Sequence, residues 1–270
     1  MNKAILFSVL LVFSISAFAQ QNINQTDAQG RKQGFWQKRD ETGKILYEGT
    51  FRDNRPVGEM KRYHPNGAVK AILVFSEKSD STSVQIFDEK GKLTAKGWYI
   101  GQKKTGEWNN YTDGRLVSTE NYTDGMKNGI TKRFYQTGEL LDETNWLNNL
   151  QEGLYRAYDK NGKKYIECMY KNGKRNGWYV CFFPNGEMEM EAFYKDNLRD
   201  GMWKYYDENG ELRYTLNYDE GVLTTPEVLD SIQKIQFDKL EKNREKLVDP
   251  EQFMADPEEY MLKIKSNQGR

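Results

Sequence analysis

Side chains that commonly carry enzyme chemistry are few in this chain. His64 is the only histidine, and it precedes a Pro-Asn-Gly turn at a place where other segments of the chain carry aspartate. One histidine cannot build a histidine-based metal site or a Ser-His-Asp triad. Carboxylates are plentiful, but they recur mostly in turns and at equivalent positions, whereas catalysis needs a singular site. We therefore predict no catalytic residue, no metal, no cofactor and no enzymatic activity.

Cys168 and Cys181 are the two cysteines of the chain. Cys168 lies near the end of one predicted strand and Cys181 lies on the next, so the two side chains can face each other across adjacent strands. An exported protein meets oxidising conditions in which such a pair forms a structural disulfide, provided that the strand register suits the bond. The alternative, which the sequence leaves open, is two small buried thiols.

The elements that position these residues come from a repeat with a 24-residue period. One interval is a residue shorter, and Thr82 stands where one of the glycines is expected. The glycines that open the units are Gly34, Gly58, Gly106, Gly129, Gly153, Gly177 and Gly201. A period of this length is typical of an array of one supersecondary unit, not of a globular enzyme domain.

Residues 201–221 illustrate one unit of the repeat. A short run that includes Trp203 and Tyr206 has strong strand preference. Asn209-Gly210 follows, and because both residues tolerate positive φ, the pair predicts a tight hairpin turn. Apolar and polar residues then alternate with the period of a strand, and a looser turn ends the unit. Each unit is therefore predicted to be a β-hairpin.

Eight such hairpins predict an all-β repeat array over residues 34–223. A single hairpin is unstable in water, so the hairpins must stack side by side. We expect an elongated, twisted antiparallel β-meander, and a closed solenoid is the alternative. Residues 20–33 form a lead-in to the first unit. Residues 224–270 carry helical spacing and predict a short α-helical C-terminal cap over the last strand, or a helix that docks a partner.

Residues 1–19 have the pattern of a secretory signal peptide. Lys3 supplies the positive charge, residues 4–13 are an apolar run too short to span a membrane, and 17–19 form a small-x-small cleavage site. No other segment is long and apolar enough to be a transmembrane span. We therefore predict export to the periplasm, the cell surface or the medium.

Charge is balanced overall but follows the repeat. The chain has 40 basic and 40 acidic residues, which argues against nucleic-acid binding because that needs clustered basic charge. Turns within units are rich in acids and turns between units are rich in bases. The hypothesis is a basic edge that contacts an acidic partner or lipid headgroups, and the alternative is ordinary solubilising charge. The candidate basic edge comprises Lys171, Lys174, Arg175, Lys195 and Arg199.

Aromatic residues recur at two repeat positions of opposite parity, which regular strands direct to opposite faces of the sheet. One set is expected to form the core. The other is a candidate stacking platform for glycan, lipid or protein, unless both sets are packed by curling of the sheet. The candidate aromatic binding face comprises Trp36, Trp108, Tyr155, Tyr179 and Trp203.

The unit resembles the MORN repeat in its bacterial variant form. Residues 176–188 (NGWYVCFFPNGEM) and 200–212 (DGMWKYYDENGEL) carry the resemblance most clearly. The resemblance implies β-hairpins in an elongated sheet, and it implies scaffolding, protein-interaction or lipid-associated roles. Many bacterial relatives are named YwqK-type antitoxins, which does not agree with an export signal if the toxin is cytoplasmic.

These observations favour an exported, non-enzymatic repeat protein that serves as a protein-interaction scaffold in the cell envelope. The expected partner is another envelope protein. One alternative is an envelope module that binds a glycan or a lipid headgroup through exposed aromatics. A second alternative is an immunity protein of the antitoxin type.

Overall fold

The structure, a computed structural model, describes residues 22–242. The predicted signal peptide and residues 243–270 of the predicted helical tail lie outside this part of the chain. Within it the chain forms nineteen β-strands and one α-helix. The strands are β1 (Gln25–Thr26), β2 (Lys32–Arg39), β3 (Ile45–Arg52), β4 (Arg55–Tyr63), β5 (Val69–Phe75), β6 (Ser81–Phe87), β7 (Leu93–Ile100), β8 (Lys103–Thr112), β9 (Arg115–Thr123), β10 (Met126–Lys127), β11 (Gly129–Phe134), β12 (Leu140–Leu147), β13 (Leu150–Tyr158), β14 (Lys164–Lys171), β15 (Lys174–Phe182), β16 (Met188–Lys195), β17 (Leu198–Tyr206), β18 (Leu212–Asp219) and β19 (Val222–Leu223), and the helix is α1 (Pro226–Lys242).

The described chain divides into two compact units. Unit 1 runs to Thr105 and includes Asn110–Gly114, and unit 2 comprises Gly106–Asn109 and the chain from Arg115 onward. In unit 1, strands β1 to β7 pair antiparallel with their neighbours in sequence. In unit 2, β11 to β19 do the same, and β9 pairs with both β10 and β11. The predicted antiparallel meander of hairpins with a C-terminal helix is confirmed.

The two kinds of turn are the reverse of the sequence prediction. The turn at Asn209-Gly210 is the longer one: only Gly210 has positive φ, and the Asp207 carboxylate accepts hydrogen bonds from the amides of Asn209 and Glu211, at 2.9 and 3.0 Å. The tight turns lie between units. At Asp196-Asn197 both residues have positive φ, 51° and 71°. Asparagine and aspartate tolerate this region because their short side chains hydrogen-bond locally.

The short unit follows from the same turn chemistry. Asp113 and Gly114 both have positive φ, 51° and 76°, and only these two residues separate β8 from β9. In this unit the two-residue turn lies within the unit, where its neighbours use the longer loop. The loss of one residue from the 24-residue period therefore reflects an exchange of one turn type for another.

The unit that carries Thr82 lacks a β-bulge that is found in other units. At Gly58, Gly177 and Gly201 the chain has positive φ, and each glycine lies in a bulge against the preceding strand. β5 and β6 pair without a register shift, and Thr82 pairs directly with Phe75. A β-branched residue is strained at positive φ, so threonine at this position is accompanied by a regular strand.

A test of the turn assignment compares two asparagines that look alike in sequence. Asn197→Ala should lower the free energy of unfolding by about 1–3 kcal/mol, because alanine is strained at positive φ and the Asn197 side chain also accepts a 2.7 Å hydrogen bond from the Arg175 amide. Asn209→Ala should change it by less than about 0.5 kcal/mol. Urea unfolding of both variants measures the difference, and a larger loss for Asn209→Ala would contradict the assignment.

One face of the hairpins, here called the inner face, carries the core of unit 2. Trp203, Leu216 and Tyr218 are buried there beside Ala192 and Tyr194. The ring of Trp203 lies 5.1 Å from that of Tyr194 and 5.4 Å from that of Tyr218, between centroids. From the start of α1, Val228 and Leu229 pack against this cluster. The first turn of the helix therefore covers the inner face at the last hairpin, whereas Ile235, Phe237 and Leu240 further along it are exposed.

Candidate interaction surface

The predicted aromatic binding face belongs to the core. Trp108 and Trp203 are almost completely buried, and the Trp203 indole nitrogen donates a 3.1 Å hydrogen bond to the Phe193 carbonyl. Trp36, Tyr155 and Tyr179 are half-buried, and each packs edge-on against an aromatic ring of the next strand. These residues are therefore not an exposed stacking platform, because each is buried or packed against a ring of a neighbouring strand.

The second aromatic set lies on the opposite face, here called the outer face. Three tyrosines of this set donate hydrogen bonds to a glutamate fifteen residues earlier. The pairs are Tyr63 to Glu48 at 2.5 Å, Tyr158 to Glu143 at 3.3 Å and Tyr206 to Glu191 at 3.4 Å. Burial and the Glu48 carboxylate raise the pKa of Tyr63 to about 12. The hydroxyl groups thus link neighbouring hairpins and do not point freely to solvent.

The predicted basic edge is mostly occupied by contacts within the array. Arg175 and Arg199 lie on the inner face, with their guanidinium carbons 4.3 Å from the Tyr194 ring and 4.6 Å from the Trp203 ring. Lys195 forms an ion pair with Glu220 at 3.3 Å. Lys174 is 3.8 Å from Asp196, and Lys171 is exposed. Two of the five cations therefore stabilise core aromatics, and two are paired with carboxylates, so the edge is not a uniform cationic strip.

Cys168 and Cys181 are unbonded thiols in the structure. The register explains why: Cys168 lies directly opposite Tyr179, whereas Cys181 lies opposite Ile166. The two cysteines are thus diagonal neighbours, whose Cα atoms are about 7–8 Å apart in an antiparallel pair, longer than a disulfide normally spans. Burial raises the pKa of the Cys168 thiol to about 12, so it is a poor nucleophile. The structure therefore contains two small free thiols and no disulfide between these two cysteines.

An apolar row crosses the outer face of unit 2, half-buried at Leu154 and Met169 and exposed beyond them. Leu154 pairs directly with Met169, and Trp178 pairs directly with Phe193. Met169 lies beside the bulge that contains Gly177 and Trp178, since a Cβ on Gly177 would come within 3.1 Å of the Met169 Cβ. Met202 lies in the next bulge, opposite β16. We call these five residues, from β13 to β17, the outer stripe.

Exposure distinguishes the outer stripe from the inner face. The exposed fractions of Trp178, Phe193 and Met202 are 38%, 44% and 61%. Single exposed apolar residues are ordinary, but a contiguous exposed apolar patch on a sheet is typical of an interaction surface. Trp is also the residue type most enriched among those that dominate binding energy. The outer stripe is therefore the best candidate for a binding surface in unit 2.

Charges beside the outer stripe neutralise one another across the strands. Glu167 accepts a 2.6 Å hydrogen bond from Arg156 and lies 3.0 Å from Lys164. Burial opposes the effect, but these two cations lower the pKa of Glu167. Lys204 pairs with Glu191 at 3.0 Å. Because these charges are already paired within the sheet, burial of the apolar residues is the interaction that would contribute most to binding a partner.

The outer stripe was not predicted, although the sequence contains a signal for it. The residue that follows each repeat glycine is apolar in the later units and polar in several earlier ones. Trp178 also precedes Tyr179, which occupies the repeat position of Trp36, Trp108 and Trp203. The residues after the later glycines are Ile130, Leu154, Trp178 and Met202. Tracking this one repeat position would have predicted the apolar row.

A second departure from the repeat lies on the inner face of unit 2. Asp142 is 2% exposed at a position where Ile166 and Met190 occur in the next two units. The Arg133 Nε donates to both carboxylate oxygens of Asp142, at 3.0 and 2.9 Å, and Nη2 donates to one of them. Burial and the Asp142 charge raise the pKa of Tyr155 to about 12. This pair is a structural ion pair in the core.

The described residues contain no group of three or more histidine, cysteine or acidic side chains placed to hold a metal ion. In residues 22–242 no helix has the length and apolar character required to cross a membrane.

Comparison with known proteins identifies the repeat. A family model described as MORN repeat variant matches residues 56–77, 127–148, 151–172, 175–196 and 199–220. No curated protein matches the chain. Two solved structures are similar, named "Crystal Structure of TcdB2-TccC3-TEV" and "Crystal Structure of TcdB2-TccC3-Cdc42", at 12% and 13% identity and a TM-score of 0.19 each. The alignments cover 73% and 74% of this chain but only 12% and 15% of those chains. Five matches to one model, each on a hairpin of the array, place the chain in the MORN repeat family, in its variant form.

Proposed function

We propose that this chain is an exported, non-enzymatic repeat protein that acts as a protein-interaction scaffold in the cell envelope, and that the outer stripe is its binding surface. The observation that carries the proposal is the exposure of Trp178, Phe193 and Met202 in one row across neighbouring strands. The pattern of residues 1–19 supports export. The repeat family supports a binding role without catalysis.

The partner of the outer stripe is a protein that offers a complementary apolar surface. The neighbouring charges are already paired within the sheet, so a strongly charged partner gains little here. A few large apolar side chains usually supply most of the binding energy at such surfaces. The strand-to-strand spacing of about 4.8 Å sets the spacing of these side chains along the row, and a partner must match it.

The test is capture of the partner in cells, followed by affinity measurement with the purified pair. The tagged chain is cross-linked in the envelope, the stoichiometric protein is identified, and binding is measured by calorimetry. Trp178→Ala and Phe193→Ala should each weaken the affinity by about tenfold or more, as expected for central aromatic residues of an interface.

Trp98→Ala is the matched control, since Trp98 is 50% exposed but lies on β7 in unit 1, outside the outer stripe. It should leave the affinity within about twofold of wild type. Retention of full affinity by both stripe variants would overturn the proposed surface. Absence of any protein partner, with saturable sugar binding lost in Trp178→Ala, would favour the glycan module instead.

A further inference from the structure

The inner face of unit 1 contains a cavity that has no counterpart in the filled core around Trp203. Its volume is about 710 Å³, within the range of about 300–1,000 Å³ that is typical of small-molecule sites. The residues that line its floor are mainly apolar and include Met60, Ala71, Leu73, Val84 and Ile86. The cavity lies wholly on residues of unit 1, between β3 and the start of β8.

Small side chains at core positions create this cavity. Val84 occupies the repeat position at which unit 2 buries Trp203, and Ala71 occupies the position of Tyr214. Leu73 lies directly opposite Val84, and Val84 lies opposite Gly97, which has no side chain. At these two repeat positions the consecutive hairpins therefore lack large rings, and an apolar hollow remains, which the rings of Phe51, Phe75 and Tyr99 also line.

Two cations lie at the rim of the hollow. Arg62 and Lys70 line the cavity, and both side chains are exposed. Arg62 lies directly opposite Ala71, on the cavity side of the sheet. Neither cation forms an ion pair with a carboxylate of residues 22–242, in contrast to Lys195 and Lys204 in unit 2. The cavity thus combines an apolar interior with two uncompensated positive charges at its mouth.

We propose that this cavity binds a monoacyl anion, a fatty-acid-like molecule whose chain fills the hollow and whose carboxylate meets Arg62 and Lys70. Apolar walls favour an alkyl chain, since its burial is driven by loss of apolar surface from water. Guanidinium and ammonium groups favour a carboxylate at the end of that chain. This ligand site lies in unit 1 and is separate from the outer stripe of unit 2, so the two proposals stand or fall independently.

Chain-length dependence tests the proposal on the unaltered protein. Decanoate, undecanoate and dodecanoate are titrated below their micelle-forming concentrations, and binding is measured by calorimetry. Each added methylene should tighten the affinity about fourfold, which is ~0.8 kcal/mol per buried methylene converted at ~1.4 kcal/mol per factor of ten. Absence of saturable binding, or an affinity independent of chain length, would overturn the proposal and would leave the hollow as an anchor pocket for a partner's side chain.

Two substitutions locate the site. Val84→Trp places in the hollow the residue type that fills the equivalent position in unit 2, and it should reduce dodecanoate affinity more than tenfold. Val74→Trp is the matched control, because Val74 lies on the adjacent strand but on the outer face and is 45% exposed. It should bind like wild type. If both tryptophan variants bind equally well, the ligand does not occupy this cavity.

The headgroup is tested with a neutral ligand of equal chain length. Wild type should prefer dodecanoate over dodecanol by about tenfold, and the double variant Arg62→Gln/Lys70→Gln should bind the two about equally. This comparison does not depend on the core, since both substituted side chains are exposed. Unchanged preference for the carboxylate in the double variant would contradict the assigned role of the two cations.

Discussion

Replacement of Trp203 by alanine should lower the free energy of unfolding by about 3–5 kcal/mol, the usual cost of deleting a buried tryptophan. Trp203 is 2% exposed. Its ring contacts those of Tyr194 and Tyr218, the Arg199 guanidinium lies 4.6 Å from it, and its nitrogen is hydrogen-bonded to the Phe193 carbonyl. The cavity left by the substitution would remove contacts among residues of three strands, β16, β17 and β18.

Trp178→Ala is the matched control for this expectation. Trp178 lies one position from the core set in its own unit, but it faces outward and is 38% exposed. Its loss should cost about 1 kcal/mol or less, because much of its surface already contacts water. Urea unfolding followed by far-ultraviolet circular dichroism measures both variants. Equal losses would mean that the inner and outer faces are wrongly assigned around these tryptophans.

The contrast between Trp203 and Trp178 shows which features the repeat periodicity predicts and which it leaves open. The 24-residue spacing and the alternation of apolar residues predict hairpins and two opposite faces, because the strand period of two is dictated by backbone geometry. They do not say which face is covered, since curling of a sheet depends on contacts among several hairpins. From the sequence alone, the aromatic set that contains Trp108 and Trp203 could form either the core or an exposed platform. In the structure, both tryptophans are buried in the core.

Turn chemistry was also only partly readable from the sequence. Asn209-Gly210 is a typical tight-turn pair, yet the aspartate two residues earlier supplies a side-chain acceptor that stabilises a longer loop. Asp196-Asn197 has no glycine but adopts positive φ at both residues. The Asn-Gly signal alone therefore does not determine which of the two turns is the tight one.

The pairing of side chains across strands could not be predicted from the sequence either, because β-bulges alter it. The five cations predicted to form the basic edge lie close together in sequence, but the β-bulges at Gly177 and Gly201 change the direction of the residues before them. Arg175 and Arg199 consequently turn inward onto Tyr194 and Trp203. The same bulges place Cys168 and Cys181 on a diagonal. Departures from the repeat, such as Asp142 among apolar equivalents, are visible in the sequence and indicate a local site.

The ion pair between Arg133 and Asp142 should respond very unequally to removal of either partner. Asp142 is 2% exposed, whereas 58% of the Arg133 side chain remains in contact with solvent. Removal of the arginine leaves a carboxylate buried without its partner, which typically costs about 3–5 kcal/mol. Removal of the carboxylate leaves a guanidinium that already reaches water. We therefore expect Arg133→Met to lower the free energy of unfolding by about 3–5 kcal/mol.

Asp142→Ile is the matched partner variant, because the next unit has Ile166 at this position. It should leave the stability within about 1 kcal/mol of wild type or raise it, since apolar replacement of a buried ion pair is often neutral or stabilising. The double variant should then recover most of the loss caused by Arg133→Met. A large loss in Asp142→Ile, or no recovery in the double variant, would contradict this account.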